Sequence, residues 1–331
     1  MHAYEPSQSD PPAAPVTLRV QPAGTPWFGK PPAWRCAVAA ALLSVCGAAG
    51  ATIYDNGEVN IVDSEIFSNV DVRNSAAGDP TTVITRDGAI VSGISVRDSS
   101  LVRMYDDTQV NGYGVIHGYD SGRLEIHGGS ATWIDLAYQA MAYIDGGTFV
   151  HGQNTLRMMG DATAHISGGS FTATSDSGAV INASQNSRLT ITGGNFVGHR
   201  ISASVNGGIS TVQLDVYGGH FAGPDAGRLL FYTGYEAVTT FYGRSFNLPF
   251  GIVPHEYEGP LTGTLANGDE IDVLLDWGGY NGSTGYIMLV QAVPEPTTWA
   301  LWLAGCAVLG GLARRKPGKD AVLRETPHPA G

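Results

Sequence analysis

An eight-residue phrase returns along the middle of the chain: apolar, polar, apolar, polar, Gly, Gly, polar, aromatic. It runs Leu124-Glu-Ile-His-Gly-Gly-Ser-Ala131, then again from Ala142 to Phe149, Ala164 to Phe171, Leu189 to Phe196 and Leu214 to Phe221. A decayed copy spans Thr239 to Phe246, and Val102 to Asp107 holds the same phase earlier. The first glycine recurs at spacings of 18, 22, 25, 25 and 25 residues. Alternation with a period of two specifies a strand with one buried face, so Leu124/Ile126, Ala142/Ile144, Ala164/Ile166, Leu189/Ile191 and Leu214/Val216 are expected to point inward. The pairs Gly128/Gly129, Gly146/Gly147, Gly168/Gly169, Gly193/Gly194 and Gly218/Gly219 are then expected to turn the chain at the strand end, where positive φ costs glycine little. Phe149, Phe171, Phe196, Phe221 and Phe246 are expected to stack in the core, one ring per coil.

A unit this short cannot bury its apolar face alone and must stack on its neighbours. The expected fold is therefore all-β: a right-handed parallel β-helix of 22–25-residue coils, with seven or eight coils from Val59 to Phe246. Val59-Asn-Ile-Val, Val70-Asp-Val-Arg and Ile94-Ser-Val-Arg alternate too and read as irregular first coils. No hexapeptide period marks a left-handed solenoid, and the calcium-binding nonapeptide pattern is absent. After residue 246, short strands around Phe250, Leu261, Ile271 and Tyr286 read as a small β cap over 247–292, covering an end that would otherwise invite aggregation.

Composition agrees with an elongated β protein, since the chain has 45 Gly in 331 residues and only 15% charged residues. Between Thr52 and Ala313 it carries about 25 acidic residues against about 10 arginines and no lysine, which argues against a nucleic-acid partner. Such a surface suits a solvated extracellular protein or one that recruits divalent cations. Cys36, Cys46 and Cys306 all lie in apolar terminal segments, leaving the body without a disulfide, zinc cluster or thiol nucleophile.

The run from Cys36 to Ala51 follows Lys30 and Arg35 and closes on Ala49-Gly50-Ala51: a basic region, an apolar region and an A-x-A cleavage site. Residues 1–51 thus read as an extension and signal peptide, with lipidation at Cys46 as the alternative, against which Val45 is bulky. Near the other end, Pro294-Glu295-Pro296 precedes an apolar stretch from Trp299 to Ala313, which ends at Arg314-Arg315-Lys316. That stretch reads as a short transmembrane helix. Pro-Glu-Pro, apolar helix and basic stop in this order resemble the PEP-CTERM sorting signal of Gram-negative bacteria, over roughly residues 293–316. The polar tail 317–331 departs from such signals, which usually stop at the basic cluster. The resemblance implies Sec export, membrane anchoring in transit, cleavage by an exosortase near Glu295 or Pro296, and arrival at the cell surface or in the extracellular matrix. It also implies an exopolysaccharide and biofilm setting. Leu261 to Gly268 with Ile271-Asp-Val resembles the closing element of repeat-bearing PEP-CTERM proteins.

For chemistry, the outward positions of the repeat are Glu125/His127, Tyr143/Asp145, His165/Ser167, Thr190/Thr192 and Asp215/Tyr217. Only Glu125, His127, Asp145 and His165 cluster over neighbouring coils. Two carboxylates there would suit glycosidic hydrolysis, and His127, His165 and Asp145 would suit a divalent metal. With no Arg or Lys read among them, a lyase is disfavoured, and the drift towards Thr190, Thr192 and Ser167 favours a plain solvated face. No metal site or cofactor is expected. Tyr113, Tyr119, Trp133, Tyr138 and Tyr143 either stack on sugars or cover the core. The reading is a non-enzymatic structural or adhesive solenoid associated with extracellular polysaccharide; the alternative is a β-helix polysaccharide hydrolase or lyase.

Overall fold

The computed structural model describes residues 51–75, 78–111, 114–204, 211–224, 227–257, 259–280 and 283–292. The signal region with Ala49, and the segment with Pro294, Glu295, Pro296, Arg314, Arg315 and Lys316, lie outside these residues, as does Tyr113. The described residues form no α-helix, and 28 strands join one mostly parallel sheet.

Each coil contributes strands to three parallel ladders. The first contains Val59–Val62, Thr82–Thr85, Leu101–Met104, Arg123–Ile126, Met141–Ile144, Thr163–Ile166, Arg188–Ile191, Gln213–Val216 and Val238–Phe246, each paired in register with the next. The second runs from Gln109–Val110 to His220–Ala222 and the third from Val115–Gly118 to Leu229–Thr233. In earlier coils one long strand serves both: Ile90–Val96 pairs through Ile90 and Val91 with the second ladder, and through Ile94 to Val96 with the third. Pairing of successive turns in parallel register is the arrangement of a β-solenoid.

The expected inward residues of the five full repeats are all buried. Phe149, Phe171, Phe196 and Phe221 stack with centroids 4.8, 5.2 and 5.2 Å apart. The column then changes. Phe221 meets Phe231 edge-on, and Phe231 meets Phe241 in the same way, whereas Phe246 leaves the stack and packs against Phe250. The cause is Gly243-Arg244 in place of Gly-Gly, where Val238–Phe246 continues as one strand past the position where earlier coils turn.

The Gly-Gly corners differ in detail from the expected turns. In the three central coils the bend lies one residue earlier, over Asp145-Gly146, Ser167-Gly168 and Thr192-Gly193. Gly147, Gly169 and Gly194 therefore stand after the bend and lead directly into the strands Thr148–His151, Ser170–Ala173 and Asn195–Val197. The physical reason is that their carbonyls already serve the second ladder: those of Gly147, Gly169 and Gly194 accept from the Ser170, Asn195 and His220 amides, each at 2.9 Å. Gly129 and Gly219 likewise follow the bend of their own coils.

The two glycines of each pair have different reasons to be glycine. The second has positive φ, 82° at Gly129, 94° at Gly147, 89° at Gly169, 106° at Gly194 and 120° at Gly219, a region L side chains rarely adopt. The first is not in that region but lies on the backbone of the preceding coil: a Cβ at Gly146 would run into the His127 carbonyl, and one at Gly168 into that of Asp145. In the earlier coil Asp107 takes the left-handed conformation at the corresponding corner, φ 64°. The first strand has its inward face at Asn60 and Val62, leaving Val59 65% and Ile61 49% exposed.

After Phe246 the chain returns to the ladders. Glu270–Trp277 stacks in parallel on Leu229–Thr233, and Tyr286–Gln291 on Val238 to Gly243. Antiparallel strands then cover part of each outer edge: Pro260–Leu265 on Glu270–Trp277, and Gly251–Ile252 on Tyr286–Gln291. The hairpin tip locks onto the last two Gly-Gly corners: Asp269 accepts a 2.7 Å bond from the Gly219 amide, and the Asn267 side-chain amide donates to the Thr192 carbonyl one coil earlier.

Candidate functional site

The first ladder brings the sequence-derived residues together in part. Glu125 stands in register with Arg103 on one side and Tyr143 on the other. Its carboxylate accepts from Arg103 Nε at 2.6 Å and pairs with Arg123 at 2.8 Å. The expectation that no arginine lies in this cluster is therefore corrected: Arg123 is two residues before Glu125 on the same outward face, and Arg103 is the register partner of Glu125 one coil earlier. Arg123 also sits 4.9 Å from the Tyr143 ring centroid. His127 Nδ1 lies 3.0 Å from both Asp145 oxygens, and its ring stacks on Tyr105 at 5.0 Å. His165 meets the Tyr143 ring at 6.4 Å.

This geometry suits neither hydrolytic arrangement well. A general acid needs a carboxyl held protonated near neutral pH, and a general base or nucleophile needs a free carboxylate facing it. Glu125 is held between two guanidinium groups, and Asp145 is occupied by a histidine. Among the described residues no group of three or more His, Cys, Asp or Glu side chains could hold a metal ion, so His127, His165 and Asp145 do not converge as ligands.

Asp215, further along the ladder, has its carboxyl pushed up by burial, opposed by hydrogen bonds from Gln213, Thr240 and Tyr242. Beside it Tyr217 and Tyr242 stack at 4.0 Å, and burial raises the Tyr242 hydroxyl strongly. A raised carboxyl is a requirement of a general acid, but no second carboxylate is among the groups acting on it.

The larger polar cluster lies on the third ladder, which the repeat pattern does not reveal. One outward row runs Asp71, Ser95, His117, Asp135, Arg157, Asn182 through successive register pairs. Asp135 is buried and accepts from Arg157 through both oxygens, at 2.9 and 2.6 Å, with His117 Nδ1 at 3.4 Å. Burial pushes this carboxyl up, but the bonds and charges of His117 and Arg157 outweigh it and hold the pKa at about 2. Asp71, also buried, is bonded to Arg73 and lies 3.5 Å from Arg97.

Aromatic rings surround this row. Tyr119 stacks on His117 at 5.3 Å under the Arg97 guanidinium, and Trp133 lies beneath Arg157 and against His151. Next to them is a depression of about 330 Å³ lined by Asn69, Ser92, Gly93, Ile94, Ser95, Val115, His117 and Trp133. Of the aromatics noted in the sequence, Trp133 and Tyr119 are half-buried, while Tyr138 and Tyr143 are exposed. The missed signal was the 22-residue offset of Asp135 and Arg157, the same as that of Arg103 and Glu125. It becomes visible only once a second strand per coil is placed in register.

Fold and surface together define an all-β, solenoid-like body whose acids Glu125, Asp135 and Asp145 are held by arginine and histidine. The chain also carries a sorting element, because the family model for the PEP-CTERM protein-sorting motif matches residues 292–316. That motif implies export, membrane-associated sorting in bacteria and exosortase-mediated processing. No curated protein and no solved structure matches the chain. Among the described residues no helix is long and apolar enough to cross a membrane.

Proposed function

We propose that the protein is a non-enzymatic surface or matrix component: a right-handed β-helix, the hand that parallel crossovers take, exported through its N-terminal signal, held in transit by an apolar helix near its C-terminus, and associated with extracellular polysaccharide at the surface of a Gram-negative cell. One observation carries the non-enzymatic part of this reading: the prominent outward acids of the middle coils, Glu125, Asp135 and Asp145, all have a cationic or imidazole partner within about 3 Å. Paired acids stabilise a stacked surface, whereas hydrolysis of a glycosidic bond requires two carboxyl groups free to exchange protons or attack.

The test is a reducing-end release assay with the purified protein on bacterial exopolysaccharides. The expected result is no release. Release abolished by Glu125→Gln or Asp145→Asn would overturn the reading in favour of a polysaccharide hydrolase, and formation of unsaturated sugar ends would do so in favour of a lyase.

A further inference from the structure

We infer that the depression on the third ladder, between Asn69 and Trp133, is a binding subsite for an uncharged glycan segment. The inference rests on the polysaccharide-associated reading above and names the place where contact is made.

The first argument is chemical. The lining supplies hydroxyl, amide and imidazole groups from Ser92, Ser95, Asn69 and His117, an indole from Trp133, and neither a carboxylate nor a guanidinium. The carboxylates bordering it already have cationic partners, Asp135 in Arg157 and Asp71 in Arg73, with Arg97 3.5 Å away. No charged group of the lining itself awaits a counter-ion, while a polyhydroxylated, uncharged ligand finds both an apolar ring and hydrogen-bonding groups, the usual composition of a small-molecule site.

The second argument is an unsatisfied group. The Trp133 indole Nε1 is buried and has no hydrogen-bond partner among the described residues, although a buried indole N–H normally has one. Trp133 lines the recess, and its N–H meets a sugar hydroxyl only when the half-buried ring shifts on binding, a movement that tryptophan emission reports. Nδ1 of His117 is engaged by Tyr119 and Asp135, at 3.2 and 3.4 Å, which leaves Nε2 as the nitrogen available to a ligand.

The third argument is spacing. Asn69, Ser95, His117 and Trp133 come from four successive coils, as the register pairs require. Adjacent strands are about 4.8 Å apart, close to the advance per sugar unit of an extended glycan, so a chain lying along the solenoid axis would meet a new polar or aromatic rung at each residue. Glycine at 93 keeps the recess open, since a Cβ there would stand 2.8 Å from Asn69 Oδ1.

The test uses the full chain and follows tryptophan emission and calorimetric heat with cellohexaose, laminarihexaose, maltohexaose and xylohexaose, with oligogalacturonate as the charged comparison. At least one neutral probe is expected to bind and to change the emission. Trp133→Phe, which keeps one aromatic ring but removes the indole N–H, and Ser95→Leu, which fills the recess, are each expected to weaken that probe by about tenfold or more. Trp277→Phe is expected to leave affinity unchanged. Circular dichroism establishes that each variant is folded. The inference is overturned if no neutral probe binds, if oligogalacturonate binds more tightly than any neutral probe, or if Trp133→Phe and Ser95→Leu both bind as tightly as the native chain. The reading it rests on fails by a different result, the release of reducing ends.

Discussion

The two halves of the solenoid solve the same stacking problem with different residues. From Phe149 onward rings fill the second-ladder corner, each on the one before, and from Phe171 the repeat lengthens from 22 to 25 residues. At the equivalent positions of the earlier coils stand Val91, Val110 and Ala131, all buried and all small. Outside, the order reverses. The earlier coils carry the Arg103–Glu125–Arg123, Asp71–Arg73–Arg97 and His117–Asp135–Arg157 groups, while the later first-ladder strands show Thr190, Thr192 and Ser167. The later half has its own recess, of about 530 Å³, lined by Asp161, Thr163, Asn186, Arg188, Thr211 and Gln213, so the halves differ in where the recess lies: beside the first ladder in one, on the third in the other. Strict repetition of the inward residues fixes the core and leaves the outward residues free to vary from rung to rung.

The comparison can be tested first in the core. Phe171→Ala removes a fully buried ring from the middle of the stack and is expected to cost about 3–5 kcal/mol in a denaturant titration, whereas Val110→Ala in the earlier half is expected to cost about 1–2 kcal/mol. Equal losses would mean the ring column is no more tightly packed than the valine column. The next largest effect is expected at Arg157→Ala, about 2–3 kcal/mol, because it strips the main partner from a buried carboxylate while Arg157 itself is only partly buried.

Acid provides an independent check on the same carboxylate. Its folded-state pKa of about 2 lies below the ordinary 3.8, so its contribution is fully present above about pH 4 and lost as pH falls through 2. The loss is about 2 kcal/mol. An Asp135→Asn chain is expected to lack this part of the acid sensitivity, and an unchanged acid profile would place the sensitivity elsewhere. The smallest effects belong to the exterior of the later half: Thr190→Ala is expected to change stability by less than about 0.5 kcal/mol.

The same division governs what was readable from residues alone. The inward faces from Leu124 to Val216 and the four-ring stack were legible, because strand alternation and Gly-Gly corners repeat there without interruption. The corner at Asp106-Asp107 was legible in phase. The place of the bend within each corner was not, because the ladder bonds made by the Gly147, Gly169 and Gly194 carbonyls depend on the coil that follows. Phe246 was misplaced because the loss of one glycine, at Arg244, changes the path of the whole strand. The Asp135 cluster was not legible, because it lies on strands such as Trp133–Leu136 and Leu156–Met158 that share no common phrase and whose alignment depends on coil length. Arg103 and Glu125 were both in view, yet without register they were not seen as partners.

The final strand has a mechanical consequence. Tyr286–Gln291 is bonded along one edge to Val238 through Gly243 and on part of the other to Gly251–Ile252, and the Ala292 amide adds a 2.8 Å bond to the Gly243 carbonyl. The sorting motif begins at that same residue, Ala292. Tension applied through that motif along the strand loads six register pairs together in shear, instead of peeling them one at a time. The sorting motif is thus joined to the body through a strand held by six register pairs and one further backbone bond.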